Sequence, residues 1–246
     1  MIQRCATGIV SSILWAQSIL SFLVLGLCFV ALSFIVPPAW LHPMARLVCR
    51  FFLLMAGQRV RQIGCFPPPK HGPYMYLFNH TSLLDTFIVI CLIPEFTGAI
   101  GKAEQFRIPI WGWVLRRWGA VPINRSELRT AIDQLGQVEA AIKEGRSLLI
   151  SPEGTRSQDG RMLPFKKGPF HVAQNTQVTL VPMTIRGAYR AKRKSSWRLH
   201  PNIIEVIVGT PITSDHAAYA SLETLSEETR QRIAAHLSQE QEELGL

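Results

Sequence analysis

The stretch "YLFNHTSLLD", residues 76–85, decides how the chain is read. Together with Tyr74 and Met75 it opens on a short apolar run, which predicts a buried strand over 74–78. The run stops at Asn79-His80. "SLLDTFIVICLI" (82–93) then predicts a helix with Thr81 or Ser82 as its N-cap. His80 and Asp85 are five residues apart, and on one regular helix that spacing leaves about 140° between the side chains. They meet only if His80 sits in the strand-to-helix turn and folds back over the first helical turn. Asp85 can then bond one ring nitrogen and fix the tautomer, leaving the other to take a proton from a hydroxyl. Taken alone, the spacing is a weak signal and favours a histidine ending a strand and a surface aspartate. No G-x-S-x-G elbow occurs in the chain, so Ser82 is expected to be a cap and not a nucleophile.

Outward from this stretch, strands and helices alternate. "SELRTAIDQLGQVEAAIKEG" carries Leu128, Ile132, Leu135, Val138 and Ile142 at helical spacing, with Gly145 as the expected C-cap. "SLLIS" (147–151), "TLVPMTI" (179–185) and "IIEVIVG" (203–209) are expected strands, and a last helix is expected from Ser226 to about residue 243. The alternation predicts an α/β layer structure. The Pro-rich "FPPPKHGP" (66–73) is a stiff connector, and the expected boundary falls there: residues 1–65 as a membrane segment with an interfacial helix, 66–246 as one catalytic domain.

The N-terminal part has a different composition. Residues 9–36 run for 28 positions without a charge, whereas a bilayer-spanning helix needs about 20 apolar residues. The length, and the lack of an A-x-A site at its end, predict a retained membrane segment, either spanning once or bent within one leaflet. "MARLVCRFFLLMAG" (44–57) fits an interfacial helix with snorkelling arginines and fits a core helix equally well. Only Arg4 precedes the apolar segment, while Arg46, Arg50, Arg59, Arg61 and Lys70 follow it, which places the body on the cytoplasmic side. The net charge is +9, suited to anionic lipid surfaces and phosphate-bearing substrates. Five cysteines form no C-x-x-C pair and there is no H-E-x-x-H, so neither a disulfide framework nor a metal site is expected.

Two further stretches bear on phosphate. "SPEGTRS" (151–157) follows a strand; Gly154 permits a tight turn, Thr155 and backbone amides can donate, Arg156 offers a bidentate fork, and Glu153 can hold polyol hydroxyls. A charged surface turn explains this stretch as well. It is not a Walker A loop. "GKAEQFRIPIWGWVLRRWGAVPINR" (101–125) mixes Lys102, Arg107, Arg116, Arg117 and Arg125 with tryptophans, as a membrane-interface belt does; Arg125 and Lys102 are phosphate candidates within it. "RAKRKSSWR" (190–198) lacks interleaved aromatics and is expected to touch anionic headgroups, with no nucleic-acid partner.

In order, "NHTSLLD", the 102–125 stretch with Lys102, Pro109, Gly112, Gly119 and Arg125, "PEGTRS", and "TLVPMTI" with Pro182 resemble the four sequence blocks of the glycerolipid acyltransferase family, over roughly residues 70–210. The likeness is to its bacterial 1-acyl-sn-glycerol-3-phosphate acyltransferase branch. The resemblance implies a single mixed-sheet α/β domain with helices on its faces, behind an N-terminal membrane-associated helical segment. It implies acyl transfer from acyl-CoA or acyl-carrier protein, as co-substrate and without a cofactor, to the hydroxyl of a lysophospholipid such as lysophosphatidic acid. His80 becomes the base and Asp85 its support, with Lys102, Arg125, Glu153, Gly154, Thr155 and Arg156 binding the acceptor's glycerol phosphate. The implied location is the inner membrane, facing the cytoplasm. Asn124-Arg125 departs from the Asp-Arg common at the end of the second block, and Leu83-Leu84 stands where the first block commonly carries an aromatic.

Overall fold

The computed structural model describes the backbone of residues 2–109, 111–123, 128–237 and 240, and side chains over the same stretches except 2–6 and 128–134. Asn124 and Arg125 lie outside the described residues.

Two helices come first, α1 (Ile2–Ser33) and α2 (Pro38–Met55), with Pro37 and Pro38 at the corner between them. The body is a seven-stranded sheet, β1 (Gln58–Ile63), β2 (Tyr74–Phe78), β3 (Thr97–Lys102), β4 (Val121–Ile123), β5 (Ser147–Ile150), β6 (Thr179–Arg186) and β7 (Asn202–Val208). The strand order is β1-β7-β6-β2-β5-β3-β4. All pairs are parallel except β6–β7. This is the mixed sheet the sequence leads one to expect. The connecting helices are α3 (Asp85–Ile90), α4 (Trp111–Arg117), α5 (Leu128–Lys143), α6 (Gly168–Thr176), α7 (Ala188–Ala191) and α8 (Leu222–Ala234).

β2 is the centre of the sheet and all five of its residues are buried. Its side chains alternate between two cores, as the period of a strand requires. Tyr74, Tyr76 and Phe78 enter one layer with α2, α3 and the inner side of β6. Met75 and Leu77 enter the other, with Val138, Ile142, Phe170, Leu225 and Ile233 from α5, α6 and α8.

α1 packs along the body for most of its length. Leu14, Trp15 and Phe22 lean on the first core. The Phe22 ring meets Phe52 and Phe87 at centroid distances of 5.6 and 5.7 Å, Phe29 meets Trp118 at 5.3 Å, and Phe34 stacks on Trp113 at 4.3 Å. Polar ties hold both ends: Trp15 Nε1 donates to Trp197 O (2.7 Å), Leu199 N donates to Ser11 Oγ (3.2 Å), and Arg117 Nε donates to Ser33 O (3.1 Å). The other face of α1, with Ile9, Ile13, Leu20, Leu23 and Leu27, is bare. The window Thr7–Ser33 is long and apolar enough to cross a membrane, and an uncovered apolar surface of this extent is that of a membrane-associated element. α2 is a core helix along one face, with apolar residues exposed on the other. Val48, Cys49, Phe52 and Leu53 are core residues, whereas Trp40, Leu47 and Leu54 are exposed.

Three expectations are corrected. β1 pairs with β7 from Gln58 onward, so the sheet begins before the expected boundary at 65/66; the prolines mark a connector inside the domain. The helix after β2 starts at Asp85, with Leu84 as its cap residue, because Thr81 and Ser82 are taken into a turn. The last long helix starts at Leu222, capped by Ser221 in a capping box with Thr224, so Ser226 lies inside it.

Asn79 extends the β2–β6 pairing beyond the last backbone rung. Its Nδ2 donates to Ile185 O (3.0 Å), and Ile185 N donates to its Oδ1 (2.7 Å), all out of water. Asn79→Ala should orphan both groups, at about 1–3 kcal/mol each. Denaturant unfolding of the detergent-held variant should show that loss; an unchanged midpoint would mean the clamp contributes nothing.

Candidate active site

β2 and β5 are parallel neighbours, and Leu77 pairs with Ile150 at their C-terminal ends. The turn after β2 and the loop after β5 therefore leave the sheet side by side, at the edge where α/β folds place their sites.

The first turn carries His80 and Asp85, and the expected fold-back is present. His80 Nδ1 lies 2.8 Å from Asp85 Oδ2. The same oxygen accepts the amides of Thr81 and Ser82, both at 2.8 Å. One wholly buried carboxylate oxygen thus shapes the turn and orients the ring. With Nδ1–H donating to Asp85, Nε2 is the acceptor nitrogen. Nε2 forms no hydrogen bond with another described residue, and the side chain is 23 % exposed. The ring is steadied by the edge of Phe78, centroids 5.8 Å apart. Ser82 is buried and its Oγ donates to Lys192 O (3.0 Å), which removes it as a nucleophile.

The second loop is fastened to the first through Glu153. Its Oε1 accepts His80 N (2.7 Å) and its Oε2 accepts Leu163 N (2.8 Å); Ser157 N in turn donates to His80 O (2.8 Å). Glu153 is 1 % exposed, so it braces the histidine's backbone and is not open to polyol hydroxyls as the sequence suggested. Burial drives its carboxyl up to about 7, against the two amides, which pull it down. Gly154 follows with φ +70°, a left-handed turn that glycine adopts without strain. Thr155 is exposed and Arg156 half-buried beyond it. Lys102 stands exposed at the end of β3, two strands from β2, paired with Glu104 at 3.1 Å.

The structure thus gathers His80, Asp85, Glu153, Gly154 and Arg156 around two adjacent loops. Asn79 and Lys192 also belong to this end of the sheet and were not singled out. An asparagine at the end of a buried strand was a signal for the first; the second was hidden in a basic run. Among the described residues no group of three or more His, Cys, Asp or Glu side chains converges as a metal-ligand set does. A hydroxyl placed at His80 Nε2 would meet a base whose tautomer is already fixed, which is the requirement for general-base attack on an acyl carbonyl.

The buried carboxyl has a measurable consequence. Its pKa in the folded protein lies above the ordinary value of 4.5, so between about pH 4.5 and 7 the folded protein holds a proton that the unfolded chain has released. Stability from this group is complete below that window and falls as pH rises through it. Glu153→Gln sets an N–H against one of the two amides and should cost about 1–3 kcal/mol. It lacks the titration, so its deficit should shrink from pH 5 to 7. Unfolding midpoints of both proteins across that range check this; a deficit independent of pH would contradict a titrating buried carboxyl.

A family profile described as Acyltransferase matches residues 58–186, from the start of β1 to the end of β6. A 1-acyl-sn-glycerol-3-phosphate acyltransferase of Cocos nucifera is 42 % identical over 142 residues, covering 57 % of this chain and 46 % of the relative. The chloroplastic 1-acyl-sn-glycerol-3-phosphate acyltransferase LPAT1 of Arabidopsis thaliana is 37 % identical over 169 residues, covering 68 % and 46 %. The chain spans about half the length of these relatives. The crystal structure of the 1-acyl-sn-glycerophosphate (LPA) acyltransferase PlsC from Thermotoga maritima superposes with a TM-score of 0.83 over 97 % of each chain at 21 % identity, so the fold is shared along the whole chain, α1 and α2 included. With more than half of its residues under the profile and the fold matched throughout, the chain belongs to the acyltransferase family.

Proposed function

We propose that the protein transfers a fatty acyl group from acyl-CoA or acyl-carrier protein to the free hydroxyl of lysophosphatidic acid, forming phosphatidic acid. The observation that carries this is the 2.8 Å His80–Asp85 contact with Nε2 left open, in a chain of the acyltransferase family. The names of the plant relatives support the acceptor.

In this mechanism the acceptor hydroxyl bonds His80 Nε2. As its oxygen attacks the thioester carbonyl, the proton passes to Nε2 and a C–O bond forms. Asp85 stabilises the resulting imidazolium through Nδ1–H. The tetrahedral oxyanion collapses, the C–S bond breaks, and the leaving thiolate takes the proton back from Nε2. No acyl-enzyme forms, consistent with the engaged, buried Ser82 hydroxyl. Arg156 and the amides after Gly154 bind the acceptor phosphate, with Thr155, Lys102 and Arg125 as further ligands. Glu153 serves the site by positioning the His80 backbone.

The apolar face of α1 and the exposed part of α2 support a site that works beside the bilayer. Because α1 is tied to the body near Ser11 and Trp15 and again near Ser33, a perpendicular span would drag those polar body groups into the hydrocarbon. These ties support a reading in which the helix lies in one leaflet of the inner membrane. The arginines that follow it support a body on the cytoplasmic side.

Thiol release from palmitoyl-CoA by the detergent-held protein tests the proposal. Release should require lysophosphatidic acid and should drop by about 10²–10⁴ in His80→Ala. Release without acceptor would make the protein a thioesterase, and full activity in a folded His80→Ala protein would remove the base. Arg156→Ala should raise the apparent KM for lysophosphatidic acid more than it lowers kcat.

A further inference from the structure

Lysine is rarely buried without a partner, yet Lys192 is only 7 % exposed. Its Nζ donates to Arg193 O (2.8 Å), which uses one of three N–H donors. Among the described residues no carboxylate lies within ion-pair distance of Lys192, Lys194 or Arg156. Arg156 is near enough that its charge joins burial in pulling the lysine's pKa below the ordinary value. Backbone bonds hold these cations at the catalytic turn. Ser82 Oγ donates to Lys192 O (3.0 Å), and Lys194 Nζ donates to Arg156 O (2.9 Å). Ser157, next to Arg156, is bonded to His80 O.

Like charges held together out of water are costly, and the cost is offset when an anion sits between them. The far end of the same loop meets the apolar N-terminal helix. Trp197 O and Leu199 N are the groups bonded by Trp15 and Ser11 of α1, so the loop runs from the membrane helix to the catalytic turn.

We propose that Lys192 joins Arg156 in binding the phosphate monoester of the acceptor lipid, and so selects for a monoester headgroup. A monoester carries about −1.5 to −2 charges at neutral pH, matching two cations, whereas a phosphodiester carries one. The proposal rests on the lysophospholipid acceptor reading given above and adds the residue that sets its headgroup.

Lys192→Met and Lys192→Arg, in the full detergent-held chain, test it. Lys192→Met removes an unpaired buried charge, so its unfolding temperature should equal or exceed that of the wild type; a merely structural lysine would instead lower it. Glycerol 3-phosphate should raise the unfolding temperature of the wild type and of Lys192→Arg, but not of Lys192→Met. In the thiol-release assay Lys192→Met should raise the KM for lysophosphatidic acid at least tenfold with kcat within threefold, and Lys192→Arg should recover most of the loss. A wild type indifferent to glycerol 3-phosphate, or a Lys192→Met protein that responds to it like wild type, overturns the proposal. So does a defect confined to binding phosphatidylglycerol vesicles with an unchanged KM in micelles, which would assign the lysine to bulk headgroups. A Lys192-dependent response to glycerol 3-phosphate in a wild type that does not acylate lysophosphatidic acid keeps the phosphate site and discards the acceptor.

Discussion

Leu77 and Ile150 face each other near the ends of two parallel strands, and the chemistry of the molecule depends on that register. It releases two loops at the same height. One carries an imidazole and the other a carboxylate that can reach only backbone. Glu153 spans the gap, binding an amide of each loop, and the His80 carbonyl returns the bond through Ser157. Slipping β5 by one residue would turn its side chains to the opposite faces of the sheet and move this brace with them. The buried strands on either side therefore work as an alignment device, and the rigid, apolar β2 is suited to it.

Within this frame the two carboxylates divide the work. Asp85 collects three donors on one oxygen and holds a ring; Glu153 collects one donor on each oxygen and holds a chain. Both lie out of water, so each is tolerable only because its bonds replace hydration. Asp85 and Glu153 both bond the His80 turn, whereas Arg156 and Lys192 bring positive charge to the segments fastened beside it.

Much of this was legible in the sequence. A five-residue spacing that cannot share a helical face led to a folded-back His80, and the 2.8 Å contact is that geometry. The central strands were legible because full burial leaves an unbroken apolar run. The edge strand β1 was not: "QRVRQI" has only Val60 and Ile63 to mark it, and its membership comes from pairing with β7 far along the chain. The caps were misjudged because Thr81, Ser82 and Ser226 are all good cap residues by type; the first two give their own amides to Asp85 in a turn before the helix, and Ser221 with Thr224 formed the reciprocal pair elsewhere. The burial of Glu153 and Lys192 is a tertiary fact. In a linear motif a glutamate between proline and glycine reads as exposed, and a lysine in "RAKRK" reads as solvated.

The ties at the two ends of α1 have one further consequence. A catalytic body joined to its membrane helix by a flexible stalk samples a range of heights above the lipid. This body is bonded to the helix near residue 11 and again near residue 33, so its distance from the surface is built in. For a substrate that resides in the bilayer, the quantity governing encounter is then its mole fraction within the surface. Diluting the lipid with inert lipid slows such an enzyme, whereas diluting the whole suspension with buffer does not.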